Sequence, residues 1–333
     1  MRRLLRDPLA LAALAVLILI AAACAAAPIY ATRVAGGDPF RSNPGGEASV
    51  GGRRVPVLAE NAGGLGLGTT PLGPTWTRAD PTGPNLLGSY LPGSYLPGPY
   101  LLGADGQGRD VAARLLYGGR TSLLIAGSAA AACLLLAAVL GVLSGFLGGT
   151  VDAALSRFLD LLWAFPTYLL AISLSAVLLS GEVRIGPVTI GADSLLLPIA
   201  VGALVWVPYA ARPIRGRVLA LRESEFVQAA VSLGASPGRI LRRHVLPHVA
   251  PQIVLLAAPI AGFELLTESA LSFLSIGVQA PAASWGTLIA DGQTLIYSRP
   301  LVAVAPGLLI VLTVLCMNLV GDGVRAALDG GGR

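Results

Sequence analysis

Long apolar runs separated by shorter polar stretches organise this 333-residue chain. A bilayer crossing needs roughly 20 predominantly apolar residues. Six stretches suit one: about Leu9 to Ala27, Thr121 to Leu147, Phe158 to Leu179, Leu195 to Ala211, Val249 to Leu274 and Leu301 to Val320. They predict an all-α polytopic membrane protein with six transmembrane helices. Prolines fall inside several runs, at Pro166, Pro198, Pro208, Pro259 and Pro306. Neighbouring helices can re-satisfy the backbone groups that such prolines free. Gly141, Ser144, Gly145 and Gly202 are small enough to let helices approach closely.

The polar stretches set the orientation. Arg2, Arg3 and Arg6 precede the first run, and Arg325 and Arg333 follow the sixth. The link between the fourth and fifth runs carries the densest basic cluster: Arg212, Arg215, Arg217, Arg222, Arg239, Arg242 and Arg243. Basic residues concentrate on the cytoplasmic side, so both termini and this link are expected inside. The 28–120 link faces outward despite arginines such as Arg33, Arg53 and Arg109; links beyond about 60 residues translocate largely regardless of charge. The first run has a second reading, a signal peptide with cleavage sites in Ala21 to Ala27, or a lipoprotein leader through Cys24. It exceeds the usual 7–15-residue apolar region of a signal peptide, which favours a retained helix.

Three segments follow: 1–27, the N-terminal segment and first helix; 28–103, an external link dense in Gly and Pro and expected to be largely irregular; and 104–333, a five-helix core. The external link repeats itself at Ser89–Gly93, Ser94–Gly98 and Pro99–Gly103.

Composition agrees with the membrane reading. The chain is 54% hydrophobic and 12% charged, against about 25% charged in soluble domains. Its net charge of +5 arises from arginines beside the apolar runs and does not imply nucleic-acid binding. Cys24, Cys133 and Cys316 sit in apolar runs and read as small core residues. His244 and His248 are four apart, a spacing that can bind a metal on a helix, but arginines crowd them and no carboxylate or thiol is near; no metal or cofactor is expected.

The most informative stretch is 224–247. Ser224 can cap a helix and Glu225 suits its first turn. Phe226, Ala229, Ala230 and Leu233 share one apolar face at helical spacing. Gly234 is a natural helix stop, and Ser236-Pro237 a natural start for the next helix. The pattern predicts a short amphipathic helix, a sharp turn and a second helix running into Pro247 and the fifth span. Such a helix on the arginine-rich side is shaped to sit in a groove on a soluble partner, with Ala229 and Ala230 permitting close approach. A DNA-binding helix-turn-helix has a similar pattern, but membrane runs on both sides leave no room for its core. A plain cytoplasmic loop with solvated arginines would not need the glycine and proline punctuation.

Glu225, Ala229, Ala230, Gly234, Ile240, Leu246 and Pro247 resemble the EAA loop of bacterial ABC-importer permeases. The segment Leu102 to Asp110, with Asp105, Gly108, Arg109 and Asp110, followed by Arg114 to Arg120, resembles an outer motif of dipeptide and oligopeptide permeases of the C-subunit type. Arg157, Asp160 and Ala164-Phe165-Pro166 resemble that family's third span. Glu268 to Leu274, Gly277-Val278 and Ser284-Trp285-Gly286 resemble its fifth span and the loop beyond, and Asn318 to Gly323 its C-terminal end. Ala104 stands where the family usually has Thr, Ser275 where it usually has Gly, and the outer segment from about 40 to 100 is longer than typical.

The resemblance implies the type I ABC-importer permease fold in the inner membrane, with 224–247 as the cytoplasmic coupling helix. It implies as partners a paralogous permease, two ABC ATPase subunits and an external solute-binding protein. Peptides or peptide-like solutes lead as cargo, with nickel complexes and glutathione as alternatives in the same family. Glu264 and Glu268 lie one turn apart in the fifth run. Acids in membrane segments are functional candidates by default; Glu268, which has a family counterpart, and Asp160 read as either structural or pathway-lining. There is no G-x-x-x-x-G-K-[ST] phosphate loop and no nucleophile–base set, so ATP hydrolysis is expected in separate subunits. An ion-coupled secondary transporter would need buried ionisable groups near midplane and paired broken helices; charged residues within these runs are few.

Overall fold

The computed structural model describes residues 7–50, 53–60, 69–72, 74, 100–181, 183–185, 188–190 and 194–329. Arg2, Arg3, Arg6, Arg78, Arg333 and the two repeats at 89–98 lie outside the described residues.

Among the described residues, five helices are long and apolar enough to cross a membrane, or six if one bent pair of helices is counted as a single span. α1 is Pro8–Ala25, continued by a short α2, Ala27–Tyr30, and a π turn, Ala31–Ala35. α3, Val111–Leu147, begins ten residues before the apolar run, at the cap Asp110. The third run is not one straight helix. α4, Gly149–Ala164, and α5, Thr167–Leu179, meet at Phe165–Pro166 with a 92° bend. Proline has no N–H and pushes the residue before it out of the helical region; Phe165 accordingly sits at φ −90°, ψ 140°.

α6 is Leu196–Arg222, α9 Leu246–Phe273 and α11 Leu301–Asp329. α6 carries the helix through the first half of the basic link, because Ile214, Val218 and Leu221 keep a buried face at helical spacing beyond Ala211. α7 is Glu225–Ser232 and α8 Pro237–Ile240, joined to α9 by a π turn at Leu241–Val245. α10, Trp285–Gln293, starts at a capping box between Ser284 and Thr287.

The 28–103 link is not wholly irregular. β1 (Glu47–Val50) pairs antiparallel with β2 (Arg53–Pro56), and β3 (Leu58–Glu60) with β4 (Thr69–Pro71). Ala48, Val57, Leu72 and Ala104 form a small apolar centre beneath them. A third hairpin joins β5 (Val183–Ile185) to β6 (Val188–Ile190).

The chain divides into two compact units. The first comprises Met1–Leu17, Ile125–Thr267 and Val314–Arg333. Its core is built on α3 and α6, where Cys133, Ala137, Ala210, Ala211 and Ile214 are buried together. Two predicted small residues set the spacing. A β-carbon on Gly141 would stand 2.7 Å from the Ala211 carbonyl oxygen, and one on Gly145 2.8 Å from Val218 Cβ. The second unit is Ile18–Leu124 with Glu268–Thr313. Trp285 is its fully buried centre. Its indole N–H donates to the Leu115 carbonyl at 3.1 Å, and the Ser122 hydroxyl accepts its backbone N–H at 3.0 Å.

Candidate functional site: the 224–247 loop and the 102–114 motif

The 224–247 segment forms the expected helix, turn and helix. α7 stops in a complete Schellman motif. Ala235 N–H donates to Ala230 O at 3.0 Å and Gly234 N–H to Val231 O at 2.9 Å, the two bonds that define that stop. Gly234 supplies the left-handed residue at φ +79°. The expected side-chain cap is absent: the Ser224 hydroxyl donates back to Leu221 O, and the Ser224 carbonyl accepts from Val227 and Gln228. Glu225 stands exposed in the first turn.

The apolar face also splits differently from the expectation. Val227 and Ala230 turn inward onto the core at 3% and 8% exposure. Phe226, Ala229 and Leu233 face outward, with Leu233 88% exposed. The two faces diverge because Val227 lies about 100° from Phe226 on the helix and pulls Ala230 in with it. Ala230 therefore seats α7 on its own chain. Phe226, Val231 and Leu233 are the large apolar side chains that α7 leaves exposed. Beyond the turn, Ile240 is buried, while Leu246 and Pro247 lie exposed at the start of α9. The Phe226 ring lies 5.1 Å from that of His248, and the His248 Nδ1 sits 2.7 Å from the His244 carbonyl oxygen.

The 102–114 motif is a knot of hydrogen bonds. Asp105 Oδ1 accepts from the N–H groups of Gln107 and Arg109 at 2.9 and 3.0 Å, closing a tight turn. Gly108 completes the turn at φ +75°, packed against the Asn43 carbonyl. Asp110 Oδ1 caps α3 through Ala113 N–H at 2.9 Å, and its Oδ2 accepts from Tyr100 N–H at 2.6 Å. Burial pushes the Asp110 carboxyl above the usual carboxylate range, against the pull of those N–H donors. Arg109 Nε donates to Asp105 Oδ2 at 2.7 Å, and Arg114 Nε lies 3.4 Å from the same oxygen. Both arginines then reach Asp291 Oδ2 on α10, at 3.0 and 2.8 Å. Asp291 did not stand out in the sequence; its one signal was being the sole charge in a short, mostly apolar helix.

The intramembrane acids differ. Glu268 is buried in a hydroxyl cage: Ser272 Oγ donates to it at 2.8 Å, and Ser122 and Ser284 also bond it. Glu264 is equally buried against Gly202, and its Oε1 has no hydrogen-bond partner. Asp160 is 61% exposed and pairs with Arg212 at 2.7 Å. Among the described residues no group of His, Cys, Asp or Glu could hold a metal ion.

Residues 137–331 match the family model described as binding-protein-dependent transport system inner membrane component. The chain is 38% identical to a dipeptide transport system permease protein of Alkalihalophilus pseudofirmus, over 68% of this chain and 70% of that one. It is 35% identical to an oligopeptide transport system permease protein of Haemophilus influenzae, over 68% and 69%. It is 36% identical to a glutathione transport system permease protein of Pectobacterium atrosepticum, over 68% and 71%. In fold it is similar to the inward-facing MetNI methionine ABC transporter, with a TM-score of 0.51 at 19% identity, covering 64% of this chain and 95% of that one.

Proposed function

Because the chain belongs to the family of binding-protein-dependent transport system inner membrane components, we propose that it is the membrane permease subunit of an ATP-driven importer of peptides or peptide-like solutes. Both termini and α7 face the cytoplasm in this reading, as the arginine distribution favours. A second permease completes the pathway, two ATPase subunits dock from the cytoplasm, and an external binding protein delivers solute. The relatives named for dipeptides and oligopeptides support peptide cargo; the one named for glutathione supports a small peptide-like solute as the second choice.

The observation that carries the reading is the outward side of α7. It presents Phe226, Val231 and Leu233 to solvent, while Val227 and Ala230 fasten the helix to the core and the Gly234 turn fixes where it ends. An exposed apolar patch on a rigid mount marks a protein interface. Domain motion in the ATPases would reach the spans through this helix. Alternating access follows: nucleotide-driven closure pushes α7, and the attached helices open the route to one side and then the other.

The direct test is capture of ATPase subunits from solubilised membranes by the tagged chain. Wild type should retain them, and Leu233→Asp should lose them while the chain stays folded, since Leu233 touches little of its own chain. Equal retention by both would sink the docking role of α7.

A further inference from the structure

The break between α4 and α5 leaves backbone in an unusual place. A helix end has up to four carbonyls or four N–H groups without intrahelical partners. No side chain caps the start of α5. The Leu170 N–H donates to Pro166 O at 2.9 Å, which is the first turn of α5 itself. Only as a pair do α4 and α5 have the length and apolarity of a crossing; taken as one crossing, they hold the break within the membrane. Non-helical backbone at that depth does not face lipid; it is covered by protein or lines a water-filled cavity. Here Ala164, Phe165 and Pro166 are exposed, and a cavity of about 420 Å³ opens on them.

The cavity wall is aromatic. Trp163 and Tyr209 stack at 6.3 Å with their planes 6° apart. Trp206 meets Tyr209 edge-on at 5.9 Å and stacks on Phe263 at 4.5 Å. The Trp206 indole N–H donates to Thr267 Oγ1 at 3.0 Å, which fixes its ring. Arg212 lies 4.4 Å over the Trp163 ring and is paired with Asp160, and none of the residues lining the cavity is charged. The volume falls in the range of small-ligand sites, about 300–1,000 Å³, and rigid rings offer flat contact area at low entropy cost.

We infer that this cavity is a solute-contact site on the translocation route, that it takes an aromatic or bulky apolar side chain of the transported peptide, and that Trp163 and Tyr209 determine its selectivity. The inference rests on the importer reading above. The bare backbone of the break argues against a lipid acyl chain as occupant. The competing occupant is the second permease packed over the same rings.

The test is uptake of Ala-Phe-Ala and Ala-Ala-Ala by cells carrying the complete importer. Trp163→Ala and Tyr209→Ala should lower the maximal rate for Ala-Phe-Ala roughly three- to tenfold, the size of one aromatic contact. Ala-Ala-Ala uptake should stay unchanged, and Trp163→Phe should restore Ala-Phe-Ala. In proteoliposomes of the assembled transporter, a tripeptide with p-benzoylphenylalanine at its centre should crosslink to 163–165 or 206–209, and excess Ala-Phe-Ala should compete. Unchanged selectivity in variants that still import Ala-Ala-Ala would overturn the inference and leave the importer reading standing. So would crosslinks mapping elsewhere, or a photo-reactive group at position 163 capturing the second permease instead. Failure of wild type to import either peptide would count against the peptide-importer reading itself, and the inference would fall with it.

Discussion

Arg215 on α6 grips Asp152 on α4 with two parallel hydrogen bonds, 2.6 Å from Nε and 2.7 Å from Nη2, one to each carboxylate oxygen. Ser144 on α3 donates to the same carboxylate, so one acid ties three helices together. A lysine would keep the charge and lose the fork. Arg215→Lys should therefore destabilise the purified chain by roughly 1–2 kcal/mol, read as a lowered thermal midpoint in detergent. An unchanged midpoint would mean that α4 is held by packing alone.

Gly234 stands at φ +79° with open space around its α-carbon. A substitution there meets no clash, so its cost is purely the left-handed backbone. Gly234→Val should cost roughly 1–2 kcal/mol locally, enough to shift the end of α7 while the spans still insert. Hydrogen exchange over 225–235 should quicken in the variant; unaltered exchange would show that α7 does not depend on this turn.

Ser275 occupies the same kind of position at the other end of the chemistry. α9 ends in a second Schellman motif, with Ile276 N–H on Leu271 O at 2.9 Å and Ser275 N–H on Ser272 O at 3.1 Å, and Ser275 at φ +61°. This explains why a glycine suits the position. Ser275→Gly should raise stability by up to about 1 kcal/mol, the left-handed cost less glycine's extra chain entropy. A fall in thermal midpoint would contradict this.

Asp110 carries a pH signature. Its folded pKa is raised by burial, so the folded chain binds its proton more readily than the unfolded chain does. Stability from this group is present below its unfolded pKa and is lost as pH rises through the folded value. Compared with Asp110→Asn, wild type should gain stability as pH falls from neutral toward 4. A constant difference between the two across that range would show that Asp110 is not perturbed.

Much of this was legible in the sequence, for local reasons. The six apolar runs follow from hydropathy, and the Gly234 turn from a glycine after an amphipathic stretch. What escaped depended on distant partners or on angles. Pro166 announced an interruption but not a 92° bend, because a proline can kink a helix or end it. Asp291 meets Arg109 and Arg114 from across some 180 residues, and no local pattern encodes that pairing. Ala230 shares a helical face with Phe226 by spacing alone, but Val227 draws it inward, so which side of a short helix is buried was decided by tertiary packing. The hairpins of the 28–103 link are too short to announce themselves among so many glycines and prolines.

The central claim is that α7 converts ATP turnover into movement of solute. The most direct measurement is solute imported per ATP hydrolysed in proteoliposomes holding the whole transporter and its loaded binding protein, comparing wild type with Phe226→Asp and Leu233→Asp. Both side chains are exposed, so the spans and the core remain intact. The account expects transport to fall at least tenfold in the double variant, about the effect of losing 1.4 kcal/mol at an interface, with ATP turnover no longer stimulated by solute. Normal transport with stimulated turnover in that variant would contradict it.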